Sequence, residues 1–208
     1  MSQRIAFFDF DGTITTKDTL LEFIKFSKGK PAFYFGFALN SPWLVAYRLK
    51  IISNQSAKER ILSWFFRNTP VDEFQELCDR FGSSMIPAYI RPKALTEISL
   101  LKEKGFSIVV VSASPENWLR SWAESTGAAL LSTRLETAGK PLSKDTAPSP
   151  SRLTGKILGH NCHGEEKVRR IRETYDLDGY EEIYTYGDTS GDKPMLRLGT
   201  HSFYKPFQ

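Results

Sequence analysis

The chain of 208 residues is poor in cysteine, and its first residues do not resemble a signal peptide. Its two cysteines, Cys78 and Cys162, lie far apart and lack the close spacing of metal-binding cysteine pairs. We expect both to be small packing residues in a reducing compartment. The N-terminus also lacks the basic-then-apolar pattern that directs secretion. These absences predict a cytoplasmic protein.

No dense block of one charge is present either. The formal net charge is +4, and Lys and Arg are scattered along the chain. This pattern lacks the cationic footprint of a nucleic-acid-binding protein, so no nucleic-acid partner is expected. A mildly basic surface suits a small phosphorylated metabolite or an anionic lipid phosphate. With 40% hydrophobic and 25% charged residues, the composition is that of an ordinary folded protein.

Long apolar runs are absent, although residues 32–39 and 43–52 are rich in aromatic side chains. Neither segment reaches the ~20 apolar residues of a membrane span, and the Asn-Ser-Pro sequence at 40–42 is predicted to interrupt any continuous helix. The favoured interpretation is a buried helical hairpin. A membrane-touching face stays open as the alternative.

Apolar runs and amphipathic segments alternate along the rest of the chain, which predicts an α/β fold. We expect a Rossmann-like three-layer core with a central parallel sheet, plus an inserted all-helical cap. The core comprises residues 1–15 and 91–208, and the cap comprises residues 16–90. The predicted strands are 5–8, 106–112, 182–186 and 201–204. The predicted helices outside the cap are 92–104, 164–175 and 190–198, and residues 137–156 are predicted to be a loop within a hairpin.

Two carboxylates follow the first predicted strand. Because side chains alternate along extended backbone, Asp9 and Asp11 project to the same side. Two such charges in one small volume predict a bound metal, split pKa values, or both. Gly12 permits a sharp exit from the strand. Asp-Gly is also common in simple turns, and that alternative stays open here; a calcium loop is disfavoured because no late glutamate completes it.

Polar side chains also follow two further predicted strands, namely Ser112 with Ser114, and Asp188 with Asp192. Ligands of open α/β sheets bind at the carboxyl ends of strands. Four acids gathered there require a cation, and oxygen ligands suit Mg²⁺. We expect Asp188 and Asp9 to be metal ligands, with a backbone carbonyl at Phe10 or Asp11 beside them, or Asp11 acting through water. Lys167 could reach the same edge, but on its own it is typical of an exposed helix residue.

In order and spacing, these residues resemble the motifs of the haloacid dehalogenase superfamily, in the branch of the phosphoserine phosphatases. The motifs are Asp9 to Thr13, Ser112, Lys167 and the Gly-Asp-x-x-x-Asp segment that ends at Asp192. The resemblance implies that Asp9 is the nucleophile of an aspartyl-phosphate mechanism and Asp11 the general acid/base. It further implies that Ser112 and Lys167 hold phosphate, that Asp188 binds Mg²⁺, and that Asp192 supports the metal shell or orients Lys167.

The sequence departs from this branch at the substrate side. Asp18 stands where phosphoserine phosphatases usually have a glutamate that meets the substrate amine, and it is more typical of a helix N-cap. Arg60 aligns loosely with a carboxylate-binding arginine of the cap. The aromatic segments of the cap are similar to those of phosphatidylglycerophosphate phosphatases.

The predicted activity is therefore Mg²⁺-dependent hydrolysis of a phosphomonoester. Three alternatives stay open: hydrolysis of a lipid phosphate, phosphoryl transfer to a small alcohol, and a non-catalytic module that binds a phosphometabolite. Intact Asp9 and Asp11 argue against the last, because binding alone gains nothing from two repelling acids.

Overall fold

The computed structural model describes residues 3–139 and 151–208. Within those ranges the strands are β1 (Gln3–Phe8), β2 (Phe106–Pro115), β3 (Ala129–Thr133), β4 (Leu135–Ala138), β5 (Arg152–Ile157), β6 (Tyr180–Gly187) and β7 (His201–Tyr204). Five of them form one parallel sheet in the order β3-β2-β1-β6-β7. The predicted parallel sheet is confirmed, with β1 at its centre.

The central position of β1 follows from its four consecutive apolar residues. Ile5, Ala6, Phe7 and Phe8 are all buried. Their side chains alternate between two hydrophobic clusters, with Ala6 and Phe8 in one and Ile5 and Phe7 in the other. The Phe8 ring stacks on that of Tyr186 at 4.1 Å. Burying each phenylalanine side chain contributes about 1.5–3 kcal/mol, so β1 anchors both faces of the sheet.

The helices are α1 (Thr19–Lys28), α2 (Lys30–Arg48), α3 (Asn54–Phe66), α4 (Val71–Ser84), α5 (Ile86–Tyr89), α6 (Pro92–Glu103), α7 (Glu116–Ser125), α8 (Glu165–Thr174) and α9 (Lys193–Leu196). Helices α1 to α5 all lie between β1 and β2 in the chain. The segment that enters this group of helices is paired with the segment that leaves it, since Thr15 forms an antiparallel bridge with Ile90. The backbone N–H of Arg91 also donates to the carbonyl of Ile14 at 2.8 Å.

The predicted break at residues 40–42 is wrong. Helix α2 runs without interruption through Pro42. Phe33, Gly36 and Asn40 are buried on one face of the helix, and the Asn40 side-chain amide donates to the Gly36 carbonyl at 2.8 Å. This anchoring outweighs the missing N–H of proline. The segment is also not a buried hairpin, because its other face is exposed.

Helix α3 is capped by Ser53, whose hydroxyl accepts from the Ser56 backbone N–H. Two other predictions concern the ends of elements. The predicted helix 190–198 is divided into a short 3-10 turn, Ser190–Asp192, and α9. Strands β4 and β5 form the expected antiparallel pair, but they include both ends of the predicted loop 137–156, of which residues 140–150 lie outside the described residues.

The described parts of the chain contain no helix that is both long and apolar enough to cross a membrane.

Candidate active site

A tight turn follows the carboxyl end of β1. Asp9 is held at the sheet edge by its backbone N–H, which donates to the Tyr186 carbonyl of β6 at 2.9 Å. Residues 10–14 then form one wide turn, in which Thr15 N–H and Thr15 Oγ1 both donate to the Phe10 carbonyl. Gly12 has a φ of +84°, and a Cβ there would collide with the carboxylate of Asp188. The turn therefore brings the β1 and β6 ends into close approach.

Lys167 lies at the centre of the cluster. Its Nζ donates to Asp9 Oδ1 at 2.6 Å and to Asp192 Oδ1 at 2.7 Å. The residue is only 1% exposed, so it is not the surface residue that its helical neighbours suggested. Burial alone would lower the pKa of Lys167, but the charges of Asp9 and Asp192 outweigh it and hold the pKa above the usual lysine range. Lys167 is therefore a permanent cation.

Asp9 is buried and shares the single lysine with another acid. Burial raises the pKa of Asp9 from 3.8 to about 7, with Lys167 acting in the opposite direction and Asp192 reinforcing the rise. The second oxygen, Oδ2, accepts a hydrogen bond from Thr13 Oγ1 at 3.0 Å. The cluster of two carboxylates and one ammonium carries an excess negative charge, which favours a further cation.

Asp11 is held on the opposite side by the start of α1 and the end of β2. Thr19 donates to Asp11 Oδ1 from its backbone N–H at 2.7 Å and from its hydroxyl at 2.6 Å. Ser114 Oγ donates to Oδ2 at 2.7 Å, and Ser112 Oγ lies 3.4 Å from the same oxygen. Asp11 therefore bonds to groups from both the helical insertion and the sheet.

The loop after β6 contributes the remaining acids. Asp192 Oδ2 accepts from Thr189 N–H at 2.9 Å and from Thr189 Oγ1 at 2.7 Å. Burial raises the pKa of Asp192, but its bonds with Lys167 and Thr189 outweigh this and leave the pKa below the ordinary value. Asp188 is half-buried, and burial together with Asp192 raises its pKa. Its only described side-chain partner is Thr13, at 3.3 Å.

The arrangement fits a hard divalent cation. One carboxylate oxygen from each of Asp9, Asp188 and Asp192 lies within 4.8 Å of the others. Both oxygens of Asp192 are held by Lys167 and Thr189, whereas Asp9 Oδ2 and Asp188 Oδ1 share only the Thr13 hydroxyl, so Asp9 and Asp188 are the better donors. The Phe10 carbonyl is engaged by Thr15, which leaves the Asp11 carbonyl as the backbone candidate. An oxygen-only set of few protein ligands suits Mg²⁺.

A cavity of about 310 Å³ is lined by Asp9 and Asp192 of this cluster but not by Asp188. Its wall includes Asp9, Asp11 and Lys167 from the predicted site, together with Asp18, Tyr47, Lys58, Ser114 and His163. Asp18 caps α1 as predicted, since its carboxylate accepts from the Leu21 N–H at 3.1 Å. Burial, together with the nearby Asp11 charge, raises the pKa of Asp18 to about 6.

Arg60 does not line this cavity. Its guanidinium donates to Asn40 Oδ1 at 3.2 Å and lies over the Trp43 ring. Lys58, two positions earlier on α3, faces the cavity instead, because a step of two residues turns a helix by about 200°. Lys58 Nζ donates to the Ala113 carbonyl at 2.8 Å and lies 3.3 Å from Asn161 Oδ1. Burial lowers the pKa of Lys58.

Lys58 and His163 also line the cavity, and neither was predicted from the sequence. The sequence pattern does mark Lys58, because it lies on the apolar face of α3 with Ile61, Leu62 and Phe65. A cation on such a face faces either the core or a ligand. His163 precedes α8 and lies against Gly191; burial and then the charge of Lys167 lower its pKa. Only the fold brings that loop to the cavity, so no sequence signal marks His163.

A buried cluster of carboxylates around a lysine, at the carboxyl ends of parallel strands, is typical of an α/β enzyme. The model of the haloacid dehalogenase-like hydrolases matches residues 6–197. Protein CicA of Caulobacter vibrioides is 32% identical over 202 residues, covering 97% of this chain and 85% of CicA. The probable phosphatase Rv3661 of Mycobacterium tuberculosis is 27% identical, covering 97% of this chain and 68% of that protein. The chain therefore belongs to the haloacid dehalogenase-like hydrolase family.

Solved structures share the fold. A protein of unknown function from Bordetella pertussis Tohama I has a TM-score of 0.77 and 22% identity, and the match covers 96% of this chain and 88% of the Bordetella chain. The phospho-aspartyl intermediate analogue of phosphoserine phosphatase has a TM-score of 0.65 and 17% identity, and the match covers 96% of this chain and 84% of that chain. The predicted α/β core and its likeness to the phosphoserine phosphatases are thereby confirmed at the level of fold.

Proposed function

We propose that the protein is a Mg²⁺-dependent phosphatase that hydrolyses a phosphomonoester through an aspartyl-phosphate on Asp9. The observation that carries the proposal is the buried Lys167, which bonds at once to Asp9 and Asp192. A carboxylate is a weak nucleophile and is repelled by a phosphate dianion. A fixed ammonium at 2.6 Å both orients Asp9 and attracts the phosphoryl oxygens.

Asp9 and Asp188, with the Asp11 backbone carbonyl, would hold Mg²⁺, and Asp192 would support them by fixing Lys167. When bound, the ion neutralises phosphoryl charge and favours the ionised form of Asp9. Ser112 and Lys167 would hold the phosphate. Ser112 Oγ accepts from the Ser114 N–H at 3.0 Å, and its own proton, which now makes a long contact of 3.4 Å to Asp11 Oδ2, would turn to donate to a phosphoryl oxygen.

Asp11 would act as the general acid and base. A carboxylic acid at this position protonates the leaving alcohol oxygen as an oxygen of Asp9 forms its bond to phosphorus. Asp11 then accepts a proton from the water that attacks the phosphorus of the aspartyl-phosphate, and Asp9 is released. Thr19 and Ser114 hold the Asp11 carboxylate by three hydrogen bonds of 2.6 to 2.7 Å. They keep it aimed at the cavity.

We also propose that residues 16–90 form a cap on a core of residues 1–15 and 91–208. The paired segments at Thr15 and Ile90 support that division. Lys58 of the insertion bonds to the Ala113 carbonyl of the core across the cavity, which supports a role of the insertion in closing the site and choosing the substrate.

The proposal is tested with p-nitrophenyl phosphate and a ³²P-labelled substrate. Asp9→Asn should abolish turnover, because the amide cannot form the acyl-phosphate. Asp11→Asn should form a hydroxylamine-sensitive labelled protein yet release phosphate at least about a hundredfold more slowly, since general acid/base catalysis is worth that much. EDTA should stop wild-type turnover, and added Mg²⁺ should restore it.

Asp178→Asn is the matched control, because that carboxylate is exposed and does not line the cavity. It should leave turnover and labelling unchanged. Labelling that survives in Asp9→Asn, or turnover that survives EDTA, would contradict the proposal.

A further inference from the structure

Helix α2 has an unusual surface. Its buried side is formed by Phe33, Gly36 and Asn40, yet the opposite side is also apolar. That opposite side, here called the outward face, consists of Phe35, Ala38, Leu39, Pro42, Val45 and Ala46, and it is extended by Leu49, which directly follows the helix. Phe35 is 62% exposed and Leu49 64% exposed. A surface helix normally carries charged residues here, and this one carries none between Lys30 and Arg48.

Cations flank the outward face at both ends. Lys28 and Lys30 are exposed near its start, and Arg48 and Lys50 near its end. No aspartate or glutamate occurs in the sequence between Glu22 and Glu59. An apolar face about 20 Å long with basic residues at its ends complements a surface that is apolar within and anionic at its boundary. Exposed Tyr34 and Trp43 add the amphipathic rings that favour such a boundary.

We propose that the outward face of α2 docks on the surface of an anionic phospholipid bilayer, with the helix lying in the plane of the headgroups. A second copy of the chain fits less well, because a symmetric pairing through this face would bring the two sets of cations together. The docked helix also reaches the active-site cavity, since Tyr47 lines it. This inference does not depend on the proposed hydrolysis.

The experiment is co-sedimentation of the purified protein with vesicles of phosphatidylcholine, with or without phosphatidylserine. Wild type should bind the anionic vesicles, bind neutral vesicles far less, and dissociate as salt is raised. The variant Phe35→Gln/Leu39→Gln/Leu49→Gln should lower the partition coefficient about tenfold or more. The variant Lys30→Gln/Arg48→Gln/Lys50→Gln should lower it on the order of a hundredfold.

Matched controls change exposed residues of the same types elsewhere. Leu95→Gln/Leu100→Gln/Leu158→Gln and Lys93→Gln/Lys102→Gln/Lys104→Gln should bind like wild type. Thermal unfolding by circular dichroism shows that each variant is folded. Absence of wild-type binding, or an equal loss in the controls, would overturn the proposal. So would a wild-type dimer that the α2 variants convert to monomer, because the occupant would then be a second copy.

Discussion

At the scale of single residues, the site depends on one glycine as much as on its acids. Gly12 adopts a φ of +84°, a conformation that costs a residue with a Cβ about 1–2 kcal/mol. It also leaves the space that the Asp188 carboxylate occupies. The same position thus sets the direction of the chain after Asp9 and the approach of Asp188 to Asp9. A glycine in a strand-end turn has a chemical role here, beyond its turn propensity.

Gly12→Ala should therefore damage both stability and metal use. We expect a loss of at least about 1–2 kcal/mol in urea unfolding, because the backbone strain adds to the clash with Asp188. The Mg²⁺ concentration needed for half-maximal p-nitrophenyl phosphatase activity should rise at least about tenfold, because Asp188 is displaced. Both quantities are measured on the purified variant.

Gly105→Ala is the matched control. Gly105 has nearly the same φ, +83°, but nothing lies near the Cβ that a substitution would add. Gly105→Ala should lower the free energy of unfolding through backbone strain alone, without any change in the Mg²⁺ requirement. If the two variants lose equal stability and bind Mg²⁺ equally well, the account of Gly12 is wrong.

At the scale of elements, α2 shows how tertiary packing overrides a local signal. Pro42 offers no N–H to the Ala38 carbonyl and its ring crowds that turn. The helix continues because Asn40 is buried and fixed to Gly36, while Arg60 of α3 donates to Asn40 Oδ1. None of these contacts is visible in a local pattern, so the sequence favoured a break. By contrast, α6 was predicted almost to the residue, since Pro92 and Gly105 mark its two ends.

Pro42→Ala should stabilise the protein. Alanine restores the N–H to the Ala38 carbonyl and removes the ring clash, and we expect a gain of about 1–3 kcal/mol in the free energy of unfolding. Pro31→Ala is the control, because Pro31 lies in the first turn of α2, where an N–H has no helical partner. It should change stability by less than about 1 kcal/mol. Urea unfolding measures both, and a loss of stability in Pro42→Ala would show that the proline is part of a required bend.

At the scale of the whole molecule, the sequence predicted the parallel sheet and most of the acid cluster. Apolar strands that end in Asp9, Ser112 and Asp188 need only the rule that parallel strands share one carboxyl edge. Lys167 required the family resemblance, because its helical neighbours are charged. Lys58 and the displacement of Arg60 required the fold, since their positions depend on how α3 rotates against β5 and the sheet. Site residues whose positions depend on local backbone geometry were predictable from the sequence. Site residues whose positions depend on packing between distant elements were not.

The same cluster links chemistry to global stability. Asp9, Asp192 and Lys167 form a buried group with two acids and one base, so ionised Asp9 is disfavoured when no metal is present. The pKa of Asp9 rises from 3.8 to about 7, chiefly through burial. Between those two values the folded state binds more protons at Asp9 than the unfolded state does. Stability from this group is therefore fully present below pH 3.8 and is lost as the pH rises through 7.

In EDTA, Asp9→Asn should accordingly be more stable than wild type at pH 8. The difference should shrink as the pH falls and vanish near pH 4, because neutral Asp9 and asparagine then carry the same charge. Its size should not exceed about 4 kcal/mol. Mg²⁺ should reverse the order at pH 8 by stabilising only the ionised wild-type carboxylate. Thermal unfolding across pH, with and without Mg²⁺, measures each comparison, and Asp178→Asn should track wild type throughout. If the stability difference between Asp9→Asn and wild type in EDTA did not depend on pH, Asp9 would stay ionised through other contacts. The vacant metal site would then not destabilise the fold.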